Sequence, residues 1–186
     1  STSGPIAKRM RIDNRTARHL FLSLHGLSAP PARKVGRAGL PELVRSIGFV
    51  QVDSIRTIER AHHHILFSRL SSYRPDWLAH HLEHERSLFE NWTHDASIIP
   101  VEFYPYWKPR FERHAEWIMS HSWWQARLGD DHEAILERVR SHVEETGPLR
   151  TRDLTSEDGD EKNQNAWWGW RPSKSALEFL WRTGTL

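Results

Sequence analysis

The sequence contains no cysteine, which excludes a disulfide framework and any thiolate-based zinc site. It has no apolar run approaching the roughly 20 residues that a membrane-spanning helix needs, so no membrane partner is expected. Ser1-Thr2-Ser3-Gly4-Pro5 has no apolar segment behind it of the kind a secretory leader carries. Methionine is scarce, with 2 in the chain and none at its start, and the chain reads as a piece of a longer polypeptide. Charge of one sign is also lacking: 26 Lys and Arg against 24 Asp and Glu leave a net charge of +2, with a pI of about 9.1. That balance permits a polyanionic partner without requiring one.

What the sequence does have is aromatic bulk, with 10 Trp and 7 Phe among 186 residues. Such side chains bury large areas, so an apolar content of 38% still supports one good core or two small ones. Most of the positive charge is Arg, whose planar guanidinium suits bidentate contact with phosphate and guanine. A solvated, Arg-rich surface accounts for the same composition.

Residues 1–11 read as a flexible basic arm. Asp13 is placed to cap a helix running to about His25, with Ala17, Leu20, Phe21, Leu24 and Leu27 on one face. A loop over 28–37 precedes a short helix from about Leu40 to Ile47, which Gly48 ends. The alternating run Phe49–Ile55 predicts a strand. A helix from about Glu59 to Leu70 follows, and Pro75 opens another to about His84. Ser87–Trp92 predicts a second strand and Thr93–Ile99 a turn ended by Pro100. Residues 101–130 read as an aromatic helical connector. A helix from about Asp131 to Thr146 buries Ile135, Leu136, Val139 and Val143, Leu149–Leu154 is a helical turn, and Pro172 or Ser173 opens a last helix to about Thr183. Thr155–Asn165, acidic and without apolar side chains, predicts a mobile loop.

Long helix, short helix, third helix and a Gly-x-Leu strand entry is the plan of a winged helix-turn-helix. The predicted fold class is therefore mainly α with small β-wings, in tandem winged helix-turn-helix domains. The first spans 12–100, and the second, 131–186, stops where its wing should begin.

Gln51 and Asp53 are the candidate catalytic pair. Residues two apart on a strand share a face, so Val50 and Val52 point into the core while a carboxamide and a carboxylate stand together. The carboxylate can act as general base or stabilise a developing cation, and the amide can hold a water by donating and accepting at once. On spacing alone, a polar strand face with Asp53 capping the next helix takes precedence.

Four segments carry a resemblance. Gly48-Phe49-Val50-Gln51-Val52-Asp53-Ser54-Ile55 and Arg60-Ala61-His62-His63-His64-Ile65-Leu66-Phe67-Ser68-Arg69 look like the crosslink-repair DNA glycosylases of the YcaQ (AlkX) and AlkZ group. Glu90-Asn91-Trp92-Thr93-His94-Asp95-Ala96-Ser97-Ile98-Ile99-Pro100 resembles that family's "YWAHEASLLP"-like segment, and Trp168-Gly169-Trp170-Arg171-Pro172-Ser173-Lys174-Ser175-Ala176-Leu177-Glu178 its "WGWKPSKxALE" segment. The match runs in order from about Arg11 to Leu186. Gln51-Val52-Asp53 is similar to the Gln-x-Asp branch of the family's signature, which implies removal of N7-alkylated purines and unhooking of crosslinks by a monofunctional enzyme without cofactor. The resemblance implies that Asp53 stabilises an oxocarbenium-like sugar and polarises water that Gln51 positions. No Lys lies near the motif, so a Schiff-base route is not suggested. It further implies a partner of double-stranded DNA bearing alkylated or crosslinked purines, acted on by a cytoplasmic, nucleoid-associated monomer. The family's further winged helix and barrel-like domain would lie beyond this sequence.

Arg56, Arg60, Arg69, Arg171 and Lys174 are candidate phosphate contacts, with Ser173 and Lys174 at a helix start that favours phosphate. Taken singly, each is more often a solvated side chain. His63 and His64 are candidates for the DNA-facing side, and His94 and Asp95 either border the site or brace a turn. His62–His64 and His80, His81 and His84 invite a metal reading, but no HExxH pattern or clear third ligand supports it, and no metal is expected. Trp167, Trp168 and Trp170 suit base stacking or core packing. Two rival functions remain open: a non-enzymatic winged-helix transcription regulator, and a protein–protein module that kept the fold without the chemistry.

Overall fold

The computed structural model describes residues 11–31, 35–129, 131–154 and 172–186. The chain divides into two units, Ser1–Val101 and Glu102–Leu186. Within the described residues the protein is mainly helical with a small three-stranded sheet, and no helix is long and apolar enough to cross a membrane.

In the first unit, Asp13 accepts hydrogen bonds from the N–H (2.9 Å) and hydroxyl (2.8 Å) of Thr16 and starts α1, Asn14–Leu24. The apolar face of α1 is not covered by a core: no residue of α1 is buried, and Leu20, Phe21 and Leu24 are exposed. Helical spacing specifies an apolar face, but it does not say what covers it. The C-terminal end of α1 is tied to the unit where Arg69 Nε donates to His25 O at 2.7 Å.

α2 (Leu40–Ile47) buries Leu40 and Val44 and ends at Gly48. The φ of +90° at Gly48 is a conformation that glycine adopts without steric cost, and it turns the chain sharply into β1, Val50–Gln51. Next come α3 (Ala61–Phe67), α4 (Pro75–Glu83), β2 (Leu88–Trp92) and β3 (Ala96–Pro100). The sheet has the order β1-β3-β2 with both pairs antiparallel. Leu40, Val44, Val50, Leu66, Leu70, Leu78, Leu88 and Ile98 form its core, so the helices cover one sheet face with aliphatic side chains. His81, buried at the end of α4, is satisfied on both ring nitrogens by Ser87 Oγ and Arg37 O, each at 2.8 Å.

Two expectations need correction. Thr93–Ile99 is not one long turn; only Thr93–Asp95 turns, and Ala96–Pro100 is the central strand. Ser97, Ile98 and Ile99 are buried, and a buried backbone must find partners, which the strands on either side supply. The strand expected over Phe49–Ile55 is paired only from Val50 to Val52, whose N–H donates to Ala96 O at 2.8 Å. β3 begins at Ala96, so nothing remains to pair with Asp53. Its carboxylate instead accepts the N–H of Ile55 at 2.8 Å, a local bond that competes with the ladder.

The second unit holds α5 (Tyr104–Ser120), α6 (Ser122–Leu128), α7 (His132–Thr146) and α8 (Pro172–Arg182). The residues expected as a connector are α5 and α6, and both pack against α8. Leu128, Ile135, Val139, Ala176 and Leu180 form the core. Glu178 joins α6 to α8, accepting from Arg127 at 3.0 Å and Arg182 at 2.9 Å. Both guanidinium groups also lie over the ring of Trp124. Gly184 has φ +70° and presses against the ring of Phe111, where a Cβ would collide. Thr155–Asn165, Trp167, Trp168, Trp170 and Arg171 lie outside the described residues.

Candidate functional site

The sheet register assembles the site. Gln51 pairs with Ser97, which on its other side pairs with Asn91. Directly opposed residues share a face, so a polar row Gln51–Ser97–Asn91 crosses the sheet. Gln51 is exposed, whereas Ser97 and Asn91 are buried. Two sequence segments some forty residues apart thus lie side by side, a juxtaposition hidden from the sequence because β3 reads there as a turn. Ser97 Oγ is held by Thr93 Oγ1 (2.8 Å) and Asp95 O (3.0 Å), and Asn91 Oδ1 accepts the N–H of Trp92 at 2.8 Å.

Asp53 leaves the sheet at the end where the β2–β3 hairpin turns, because β1 runs antiparallel to β3. It is half-buried and does not cap a helix: α3 has no side-chain cap, and Asp53 Oδ1 bonds to Ile55 instead. Among the described residues nothing bonds Oδ2. The backbone N–H of Asp53 donates to Nδ1 of His62 at 3.2 Å. His62 is only 4% exposed. Burial, followed by the positive neighbours His63 and Arg60, pushes its pKa down to about 4. The ring is therefore neutral at pH 7, with its proton on Nε2 and Nδ1 free to accept. Sequence reading had no signal for this role of His62 beyond its place in a family-like segment.

His63 is half-buried, its pKa also lowered by burial, and its Nδ1 shares a 2.7 Å hydrogen bond with the hydroxyl of buried Tyr73. Burial raises the Tyr73 pKa, so the phenol keeps its proton. His64 is exposed. Arg56 and Arg60 are exposed on the segment between β1 and α3. Arg56 pairs with Glu59 at 3.3 Å, and Glu59 Oε1 accepts the Arg60 N–H at 3.0 Å, the main reason its carboxyl lies below the usual value.

Arg69 is engaged elsewhere: Nε reaches His25 O and Nη1 reaches Ile65 O at 2.8 Å, so the guanidinium links α1 to α3. His94 stands exposed at the hairpin tip, and Asp95 braces the turn by accepting the Ala96 N–H at 2.8 Å. In the first turn of α8, Lys174 is exposed while Ser173 is 1% exposed, so its hydroxyl does not face solvent. Arg171 lies outside the described residues.

Among the described residues no group of three His, Asp or Glu side chains is arranged to hold a metal. His80 bonds Glu85 at 2.9 Å, and His81 is held as described above. A shallow concavity along α1 is lined by Asn14, Ala17, Arg18, Phe21 and Leu22, none of which carries the candidate chemistry.

No solved structure matches the chain. The family model described as "DNA glycosylase AlkZ-like" matches residues 44–186, which takes in β1, the polar row, both histidine contacts and α8. The chain belongs to the AlkZ-like DNA glycosylase family.

Proposed function

We propose that this protein hydrolyses the N-glycosidic bond of N7-alkylated purines in double-stranded DNA and unhooks interstrand crosslinks built on such purines, as a monofunctional, cofactor-free monomer in the cytoplasm, at the nucleoid. Alkylation at N7 makes the purine a cationic leaving group, so the enzyme needs chiefly to stabilise an oxocarbenium-like sugar and deliver water. Asp53 supplies the negative charge. Its Oδ1 is anchored on Ile55, which leaves Oδ2 to face the sugar and polarise water. Gln51, exposed beside it in sequence, donates to and accepts from that water. Arg56, Arg60, His64, His94 and Lys174, all exposed, are the proposed DNA contacts.

The observation that carries the reading is the Gln51–Ser97–Asn91 row: it joins two family-like segments at the sheet end from which Asp53 emerges. The first unit supports a winged-helix fold, because α2, β1, α3, α4 and the β2–β3 hairpin follow that plan with the order β1-β3-β2. In the second unit we assign α7, the turn at Thr151–Asp153 and α8 to the same plan. The exposure of Gln51 favours an open site, which suits a lesion too bulky to enter a closed pocket.

The test is base release from duplex DNA carrying N7-methylguanine or a nitrogen-mustard crosslink, for the parent and Asp53→Asn, with DNA binding recorded for both. We expect release by the parent and a loss of about a hundredfold or more in the variant with binding kept. A well-folded parent that binds DNA but releases no base would replace the reading with that of a DNA-binding regulator.

A further inference from the structure

The segment between β1 and α3, which begins at the candidate carboxylate, carries two bare isoleucines. Ile58 is 84% exposed, the highest value for a large apolar side chain among the described residues, and Ile55 is 72% exposed. Neither packs in the core, although Leu66, further along the chain in α3, is fully buried. Each end of the segment carries a local side-chain-to-backbone bond. Asp53 Oδ1 accepts the Ile55 N–H, and Glu59 Oε1 accepts the Arg60 N–H. Ile55 therefore has its backbone fixed by the same carboxylate that the proposed chemistry uses.

The two isoleucines are bordered by two arginines, one of them paired with a single acid. Arg56 and Arg60 are exposed, while the intervening acid, Glu59, is half-buried and turned onto Arg56 and the Arg60 backbone. Apolar side chains with a cationic border suit a base stack flanked by phosphates. Proteins that open duplex DNA insert such aliphatic wedges between base steps while Arg holds the backbone.

We propose that Ile55 and Ile58 form a wedge that enters the duplex beside the lesion and unstacks the adjoining step, with Arg56 and Arg60 holding the flanking phosphates. The inference rests on the glycosylase reading and deepens it. A purine covalently tied to the opposite strand cannot swing out of the helix. Opening the stack next to it is a way to bring the anomeric carbon and a water to Asp53. Ile55 and Ile58 are positioning residues in this account, and Asp53 remains the catalytic one.

The experiment uses the full chain and a duplex with 2-aminopurine next to an N7-methylguanine. The parent, Ile55→Ser/Ile58→Ser and Ile55→Leu/Ile58→Met are compared for 2-aminopurine fluorescence on binding, affinity by anisotropy, and single-turnover base release. The parent is expected to raise the fluorescence, and the serine pair to lose that rise and to slow release by about tenfold or more. The Leu/Met pair is expected to restore both. The mutated side chains are solvent-exposed, so the thermal midpoint of the serine variant should match the parent's. A serine pair that keeps the fluorescence rise overturns the wedge, and so does a parent that leaves the fluorescence flat. A parent that raises fluorescence without releasing base overturns the glycosylase reading but leaves the wedge standing.

Discussion

The Asp53 N–H donates to Nδ1 of His62 at 3.2 Å, so a buried imidazole holds the backbone of the candidate catalytic carboxylate. His62→Leu removes the acceptor and leaves a buried donor, at an expected cost of about 1–3 kcal/mol. His62→Asn keeps an acceptor near the Nδ1 position and should retain most of the stability and of the base release. Urea unfolding and single-turnover release on both variants check this; equal loss of release in the two would assign His62 a direct chemical role instead.

The burial of His62 makes stability depend on pH. The folded pKa of His62, about 4, lies below the ordinary value for an unfolded chain, about 6.5. The unfolded state therefore binds more protons between these values, and stability falls as pH drops through that window. The full effect is up to about 3 kcal/mol, complete near the folded pKa. Unfolding midpoints from pH 7.5 to 4.5 should decline less steeply in His62→Asn than in the parent. Parallel slopes would show that His62 does not govern the decline.

Tyr73 and His63 share a 2.7 Å bond at the half-buried border of the first core. Tyr73→Phe leaves the ring packing intact and removes the hydroxyl. A loss of about 1–2 kcal/mol in urea unfolding is expected, with far-UV circular dichroism unchanged. A fully stable variant would show that water replaces the phenol there.

The arginines should separate by salt dependence. Arg56→Ala and Arg60→Ala should each weaken DNA binding and lower the slope of log affinity against log salt by about 1. Arg69→Met removes bonds to His25 O and Ile65 O, so it should destabilise the fold and leave the slope unchanged. A reduced slope in Arg69→Met would make it a phosphate contact after all.

Gly184→Ala places a Cβ against the Phe111 ring at φ +70°. Strain and overpacking act together there, with an expected cost of about 2 kcal/mol or more. Thermal unfolding measures it, and relief by Phe111→Leu in the same chain would identify the ring as the obstacle.

Much of the helical framework was legible in sequence because caps and breakers are local. Asp13 before α1, Gly48 after α2 and Pro75 at the start of α4 each act on their own turn. The central strand was not legible. Ala96–Pro100 is short, and its polar flank Thr93-His94-Asp95 has turn chemistry. Its extended state depends on β1 and β2 lying on either side. The strand expected through Asp53 failed for the complementary reason: β-branched alternation continues past the point where β3 has backbone to offer.

By itself the sequence determined the kinds of chemistry at hand. Gln51 and Asp53 stand at strand spacing, arginines flank them, thiols are absent, and residues 44–186 carry the family pattern. The tertiary structure decided which of these groups meet. It set Gln51 against Ser97 and Asn91, put His62 under the Asp53 backbone, drew Arg69 onto carbonyls and left Ile55 and Ile58 bare. Those outcomes follow from burial and from the pairing of backbone groups between segments distant in sequence, and neither is set by the composition of one segment alone.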